Sequence, residues 1–156
     1  MKKFTFSLDK LKAYKERMLD AEKNNLGILR RELAELQGQL QEINDVIELK
    51  NTELAETYVK GTTPVDISVR KRFIASRKQD AVTKQNEIVN KENEIQKQLE
   101  VVLELQKEVS SLEKLEEAQL EEYRALELKE TELFIDEFIT NADFRKGQKN
   151  SGERAD

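Results

Sequence analysis

The chain has no cysteine and no histidine, and only one proline and five glycines among its 156 residues. Without cysteine there are no disulfides, thiolate nucleophiles or thiolate metal sites. Without histidine the commonest general base and metal ligand is missing. These absences remove most catalytic constellations, and no P-loop pattern is present to cradle a phosphate. No catalytic residue, cofactor or metal is therefore expected. No apolar run is long enough to cross a bilayer. The opening Met1-Lys2-Lys3 has the charge of a signal-peptide start, but Asp9, Lys10 and Lys12 interrupt the apolar stretch that would have to follow. A cytosolic protein is expected.

Apolar residues are scarce as well. Hydrophobic residues make up 37% of the chain against 38% charged ones, too few for an ordinary globular core. The 27 basic and 32 acidic residues leave a formal net charge of -5. The two signs are interspersed along the chain, so no stripe for a polyanion stands out and no nucleic-acid partner is expected. What remains in abundance is Glu, Lys, Leu, Gln and Ala, all good helix formers. Disorder would fit the low hydrophobicity, but the apolar residues recur at helical spacing.

Ser7 is placed to cap a first helix, with Asp9 complementing the positive end of its dipole. Leu11, Tyr14, Met18 and Ala21 alternate steps of three and four, and the alternation returns at Leu33, Leu36, Leu40, Ile43 and Ile47. Between them Asn25 and Leu29 add steps of four, the mark of a stutter, with Gly27 at the irregularity. Gly61-Thr62-Thr63-Pro64 is the one adjacent stop and start signal in the interior: Gly past a helix end, Pro at the next first position, and Thr63 with Asp66 as a capping box. It predicts a reversal, the alternative being a proline kink in one continuous rod. The second helix shows Ile74, Ala81, Ile88, Ile95 and Val102 every seven residues, joined by Leu105, Val109, Leu112, Tyr123, Leu126 and Leu133. Lys84, Lys91 and Gln98 stand where apolar seam residues are expected, which fixes register and predicts weaker packing near the middle.

The expected fold is therefore all-α, an antiparallel two-helix coiled-coil hairpin over residues 1–140. It has a helix at about 8–59, a turn at about 60–65, a helix at about 66–139 and a polar, disordered tail over 141–156. At 1.5 Å per residue the arms measure roughly 75 Å and 110 Å. Folding about residues 62 and 63 sets Leu40 near residue 85 and Phe6 near residue 119. The last turns of the second helix, with Leu133, Phe134 and Phe138, are left without an internal mate.

The aromatics gather at the two ends of this hairpin. Phe4, Phe6 and Tyr14 meet Tyr123 at the open end, and Tyr58 and Phe73 lie near the turn. They either staple fraying helix ends or form two contact surfaces for partners. For Phe134 and Phe138 a partner is the better reading, because their helix outruns its mate. Glu116 with Glu117, and Glu121 with Glu122, do not converge on one atom, because adjacent helical positions point about 100° apart. Arg70, Lys71, Arg72 and Lys78 form the one local basic concentration, too small to name a partner.

The start, with Phe4, Phe6, Leu8 and Leu11 followed by Tyr14-Lys15-Glu16, resembles the FliJ family, a small soluble component of the bacterial flagellar type III export apparatus. The end, Glu132-Leu133 leading to Asp136-Glu137-Phe138, is similar to that family's acidic-aromatic ending, and the central break falls where its hairpin turns. The resemblance implies a stalk-like hairpin whose open end enters the ring of the export ATPase FliI and whose other end faces the export gate protein FlhA. On that reading Phe4, Phe6, Tyr123, Leu133, Phe134 and Phe138 would contact the ATPase. Gln39 and Phe73 match a Gln and a Phe of the family's gate-facing surface, Ile43 is a conservative counterpart, and Val46 and Lys50 stand where the family has aromatics. A role with export chaperones stays open. The location implied is cytoplasmic, peripheral to the inner face of the cell membrane at the flagellar base. A structural scaffold of two associated chains, or the equivalent stalk of a virulence secretion system, fits the same seam.

Overall fold

The computed structural model describes residues 2–153. Among them are two α-helices and no strand: α1, Asp9–Lys60, and α2, Pro64–Glu153. This is the all-α helical hairpin the sequence predicts. The chain divides into two compact units. One, Arg17–Gln106, contains the turn; the other is made of the described residues of Met1–Glu16 and Lys107–Asp156. Helix α2 continues past the boundary near 139 set by the sequence, through Gly147 and Gly152 to Glu153.

The reversal uses the residues expected of it. Gly61 takes φ 85°, the left-handed conformation that ends a helix, and its N–H donates to the Thr57 carbonyl at 3.0 Å. Pro64 opens α2, where a missing N–H costs nothing. The Thr63 hydroxyl accepts the Asp66 N–H at 3.2 Å, half of the capping box. The Asp66 carboxylate makes other bonds, accepting the Thr62 hydroxyl at 2.7 Å and Arg70 Nε at 3.0 Å.

These two partners, the Thr62 hydroxyl first and Arg70 second, hold the Asp66 carboxyl below its usual pKa. A lowered folded-state pKa stabilises the fold above the unfolded value of about 3.9, and the contribution is lost as pH falls through the folded value. Asp66→Asn is expected to lower the melting temperature at neutral pH. The gap to the wild type should close in acid, and thermal melts across pH 2 to 7 (approximate limits) read it. A gap unchanged in acid would remove the carboxylate from the explanation.

The inward stripe of α1 differs from the one expected. Leu11 is 42% exposed and Tyr14 53%, and Ala21 and Asn25 are exposed too. The uninterrupted stripe of covered positions is Lys12, Lys15, Leu19, Glu22, Leu26, Leu29, Leu33, Leu36, Leu40, Ile43 and Ile47, stepping by three and four, with Met18, Gly27, Gln39 and Val46 half-buried at its edges. There is no stutter. The sequence reading slipped by one residue because Lys12, Lys15 and Glu22 are polar, so the neighbouring apolar Leu11 and Tyr14 stood in for them.

In the unit containing the turn, α2 alternates apolar and polar inward positions: Ile67, Arg70, Ile74, Arg77, Ala81, Lys84, Ile88, Lys91, Ile95 and Gln98. Three of the polar members hydrogen-bond across to α1. Lys84 Nζ donates to Gln39 Oε1 at 2.8 Å, Lys91 Nζ to Glu32 at 2.8 Å, and Gln98 Nε2 to the Glu22 carbonyl at 3.0 Å and to its carboxylate. Ile88, between two of these pairs, is only 4% exposed. Ile88 stays covered beside these polar positions because lysine stems lie over apolar surface while the ammonium groups reach carboxylate or amide oxygens at the edge. Glu32 and Glu94 raise the pKa of Lys91. A raised lysine pKa stabilises the fold below the unfolded value of about 10.4 and fades only as pH climbs through the folded one.

In the other unit Phe6 and Val109 are each buried, at 5% and 6% exposure. Lys12 meets Glu116 at 2.6 Å and Lys15 meets Glu108 at 2.7 Å, and each pairing raises the lysine's pKa. Ser7 bonds the side chain of Gln119 at 3.3 Å, which takes its hydroxyl away from the cap expected of it. The first helical turn closes through backbone bonds, Asp9 N–H to the Phe6 carbonyl at 3.2 Å and Lys12 N–H to the Leu8 carbonyl at 2.9 Å.

Candidate partner-binding surfaces

Near the turn, Phe73 on α2 remains 43% exposed. Two cations lie against its ring: Lys50 Nζ from α1 at 5.8 Å from the centroid, and the Arg77 guanidinium, one turn along α2, at 5.6 Å. At such distances the negative face of the ring attracts a cation. Lys50, Asp66, Val69, Arg70 and Phe73 enclose a hollow of about 320 Å³. Lys50 pairs with Glu53 at 3.1 Å and Arg77 with Asp80 at 3.0 Å. Arg77 Nε is buried without a hydrogen-bond partner.

The three candidates for the gate-facing surface are not gathered in one place. Gln39 accepts its bond from Lys84, and Ile43 is half-buried in the stripe. Lys50, the α1 residue at Phe73, is about 16 Å along the helix axis from Gln39 at 1.5 Å per residue. Val46 is half-buried as well. Phe73 is thus the exposed member of the set, and its neighbours are the cations Lys50 and Arg77. The Lys50 contact crosses from one helix to the other, so no local sequence pattern announces it. Arg77, four residues after Phe73, was open to inference from helical spacing alone.

At the open end the aromatics serve packing first. The rings of Phe4 and Tyr123 lie 5.5 Å apart, tilted at 54°, and the Tyr123 hydroxyl donates to the Lys2 carbonyl at 2.6 Å. Phe6 is buried. After Tyr123 the large apolar side chains lie open. Every described side chain from Arg124 to Asn141 is exposed, and Phe134 and Phe138 each show 69% of their surface. Leu126 and Leu133, expected in the internal seam, are 52% and 56% exposed, and Leu126 lines a hollow with Lys2, Lys3, Phe4 and Thr5 of the segment before α1.

A family model described as the flagellar FliJ protein matches residues 4–148. The chain belongs to the FliJ family. No curated protein and no solved structure matches it. Membership makes this FliJ chain a component of the flagellar protein export apparatus, a non-catalytic one by family, and favours that setting over a virulence secretion system. Among the described residues of this FliJ chain no helix is long and apolar enough to cross a membrane. The matched span takes in both Phe73 and the exposed apolar stretch after Tyr123. Leu128, Ile135, Ile139 and Phe144, all exposed there, were missed as candidates; following the helical period past Leu133 reaches Phe144, whereas the other three lie on another side of the helix.

Proposed function

We propose that the chain is the stalk of the flagellar export apparatus, binding the export ATPase ring of FliI through the far part of α2 and the export gate protein FlhA through the surface around Phe73. The observation that carries this reading is the run of exposed large apolar residues after Tyr123, on a helix that continues to Glu153 in a family devoted to flagellar export. Exposed aromatic and aliphatic anchors of this kind provide most of the binding energy in protein interfaces. Helices α1 and α2 each run unbroken, which suits a part that transmits differential contact energy from one partner to another. The chain would work at the cytoplasmic face of the membrane at the flagellar base. Export chaperones are further candidate partners.

The test is retention of purified FliI and FlhA on the immobilised full chain, with the oligomerisation and turnover of FliI followed in solution. Both proteins should be retained, and FliI should assemble more readily. Phe73→Ser is expected to weaken the gate contact by about tenfold, a typical loss for an aromatic anchor, and to leave FliI binding unchanged. Absence of any effect on FliI would sink the stalk reading. Unchanged gate binding in Phe73→Ser would move the gate contact elsewhere.

A further inference from the structure

Among the described residues, the two most exposed large hydrophobic side chains flank the turn: Val59 at 88% and Val65 at 73%. Tyr58 and Val69, beside them, are each more than half exposed. Cations stand behind this apolar end. Residues 60–78 hold six lysines and arginines against one carboxylate, Asp66, in a chain whose net charge is -5. Asp66 is spoken for, since Lys50, Glu53, Asp66 and Arg70 pair among themselves, and Arg77 pairs with Asp80. Lys60, Lys71, Arg72 and Lys78 are exposed and make no ion pair among the described residues. Over residues 50–78 the one carboxylate likewise without an ion pair there is Glu56.

The order of these groups along the helices decides what such an end can meet. Val59 and Val65 are each one residue inside a helix end, whereas Lys71 and Arg72 stand about 11 Å and 12 Å from the start of α2 at 1.5 Å per residue. A membrane surface has the matching layers. An apolar face sinks about 5–10 Å into the boundary of headgroups and acyl chains, and anionic headgroups draw lysine and arginine lying within a Debye length. The Lys60 stem can carry its ammonium back to headgroup level, and tyrosine, as at position 58, suits that interface. Lys78, about 21 Å back, is too far to share in it. An acidic protein surface answers the cations alone. A lipid surface answers both, because its apolar layer lies beyond its charged one. We propose that the turn is a lipid-docking tip, with Val59 and Val65 entering an anionic membrane surface and Lys60, Lys71 and Arg72 held by its headgroup phosphates. This contact needs neither Phe73 nor FlhA, and the hollow beside Phe73 is lined by neither valine.

The experiment floats the full-length chain with vesicles of phosphatidylcholine, alone or with about one third phosphatidylglycerol, at about 0.05 M and about 0.3 M salt. Three variants accompany the wild type: Val59→Ser with Val65→Ser, Lys71→Glu with Arg72→Glu, and Lys107→Glu with Lys114→Glu. The last is a control with the same change of charge far along α2. All these side chains are exposed, and circular dichroism checks that helicity is retained. The chain has no tryptophan, so Val65→Trp adds a single reporter whose emission should shift to the blue on anionic vesicles. The wild type should float with anionic vesicles and not with neutral ones, and the higher salt should weaken its binding at least about tenfold. Each tip variant should bind at least about tenfold more weakly, and the control within about threefold of the wild type.

A wild type that stays in buffer, or floats equally with neutral vesicles, overturns the proposal. So does a control weakened as much as Lys71→Glu with Arg72→Glu, because net charge and not the tip would then be read. Unchanged binding in either tip variant, or Val65→Trp emission unmoved by anionic vesicles, takes the turn out of the membrane. If the wild type ignores vesicles while the tip variants lose purified FlhA, the valines and cations belong to a protein contact and the lipid reading fails.

Discussion

Ile88→Asp is expected to abolish the cooperative thermal transition, leaving a chain of reduced helicity near room temperature. Ile88 has the lowest exposure of the buried hydrophobic side chains, at 4%. The Lys84–Gln39 and Lys91–Glu32 bonds on either side of it set Leu33 and Leu36 on the facing stretch of α1. Truncating a buried isoleucine costs about 2–5 kcal/mol. A seam between only two helices lets water in, so Ile88→Ala belongs near the low end of that range. An aspartate adds the penalty of an unpaired carboxylate, and Glu32, Glu35, Glu87 and Glu94 already crowd the same stretch of the surface. The combined loss rivals the whole stability of a small domain, about 5–15 kcal/mol. The control is the next residue: Val89 is 44% exposed, and Val89→Asp should change the melting temperature little. Far-UV circular dichroism on heating reads all three variants. An Ile88→Asp protein melting within a few degrees of the wild type would mean that the inward stripe does not hold the helices together.

The contrast between Ile88 and Val89 was legible in the sequence, and the corresponding contrast in α1 was not. In α2 one inward position per heptad is apolar from Ile67 to Val102, so a strict period of seven announces itself. In α1 both inward positions of one turn, Lys12 and Lys15, are lysines. An apolar filter therefore chose Leu11 and Tyr14, and a stutter at Asn25 was needed to rejoin the true stripe at Leu29. Pairing constraints resolve the ambiguity, because Lys12 with Glu116 and Lys15 with Glu108 make sense only when both arms are set in register. The turn was legible because Gly61 and Pro64 act through backbone conformation alone. The continuation of α2 to Glu153 was not, since Asn141, Gly147 and the surrounding polar residues resemble stop signals but do not prohibit a helix. Of the candidate surfaces, the exposed Phe134 and Phe138 followed from arm lengths. The cations around Phe73 did not, because one of them comes from the other helix.

Replacing Lys84, Lys91 and Gln98 together by leucine should have a comparably large effect in the opposite direction, raising the melting temperature by roughly 10 °C. Each of the three is half-buried in the inward stripe and bonded to a polar group of α1. A half-exposed ion pair contributes little after side-chain ordering and screening, whereas a leucine at such a position gains about 1 kcal/mol by removing apolar area from water. The abandoned groups on α1, Glu22, Glu32 and Gln39, lie close enough to solvent to be rehydrated, so no buried polar group is stranded. A total near 3 kcal/mol corresponds to the shift stated for a chain of this length. Specificity should fall as stability rises. The three cross-helix bonds penalise any other alignment, and an all-apolar seam makes a slip by one heptad, or association of whole chains, competitive. A slip of that size moves α1 by about 10 Å against α2, which carries Lys50 away from Phe73 and should weaken the gate contact proposed there. The triple variant should therefore melt higher, show a mass in solution above the monomer, and retain less FlhA than the wild type. A lower melting temperature would mean that the polar pairs stabilise the hairpin outright, and their role would then be strength instead of alignment.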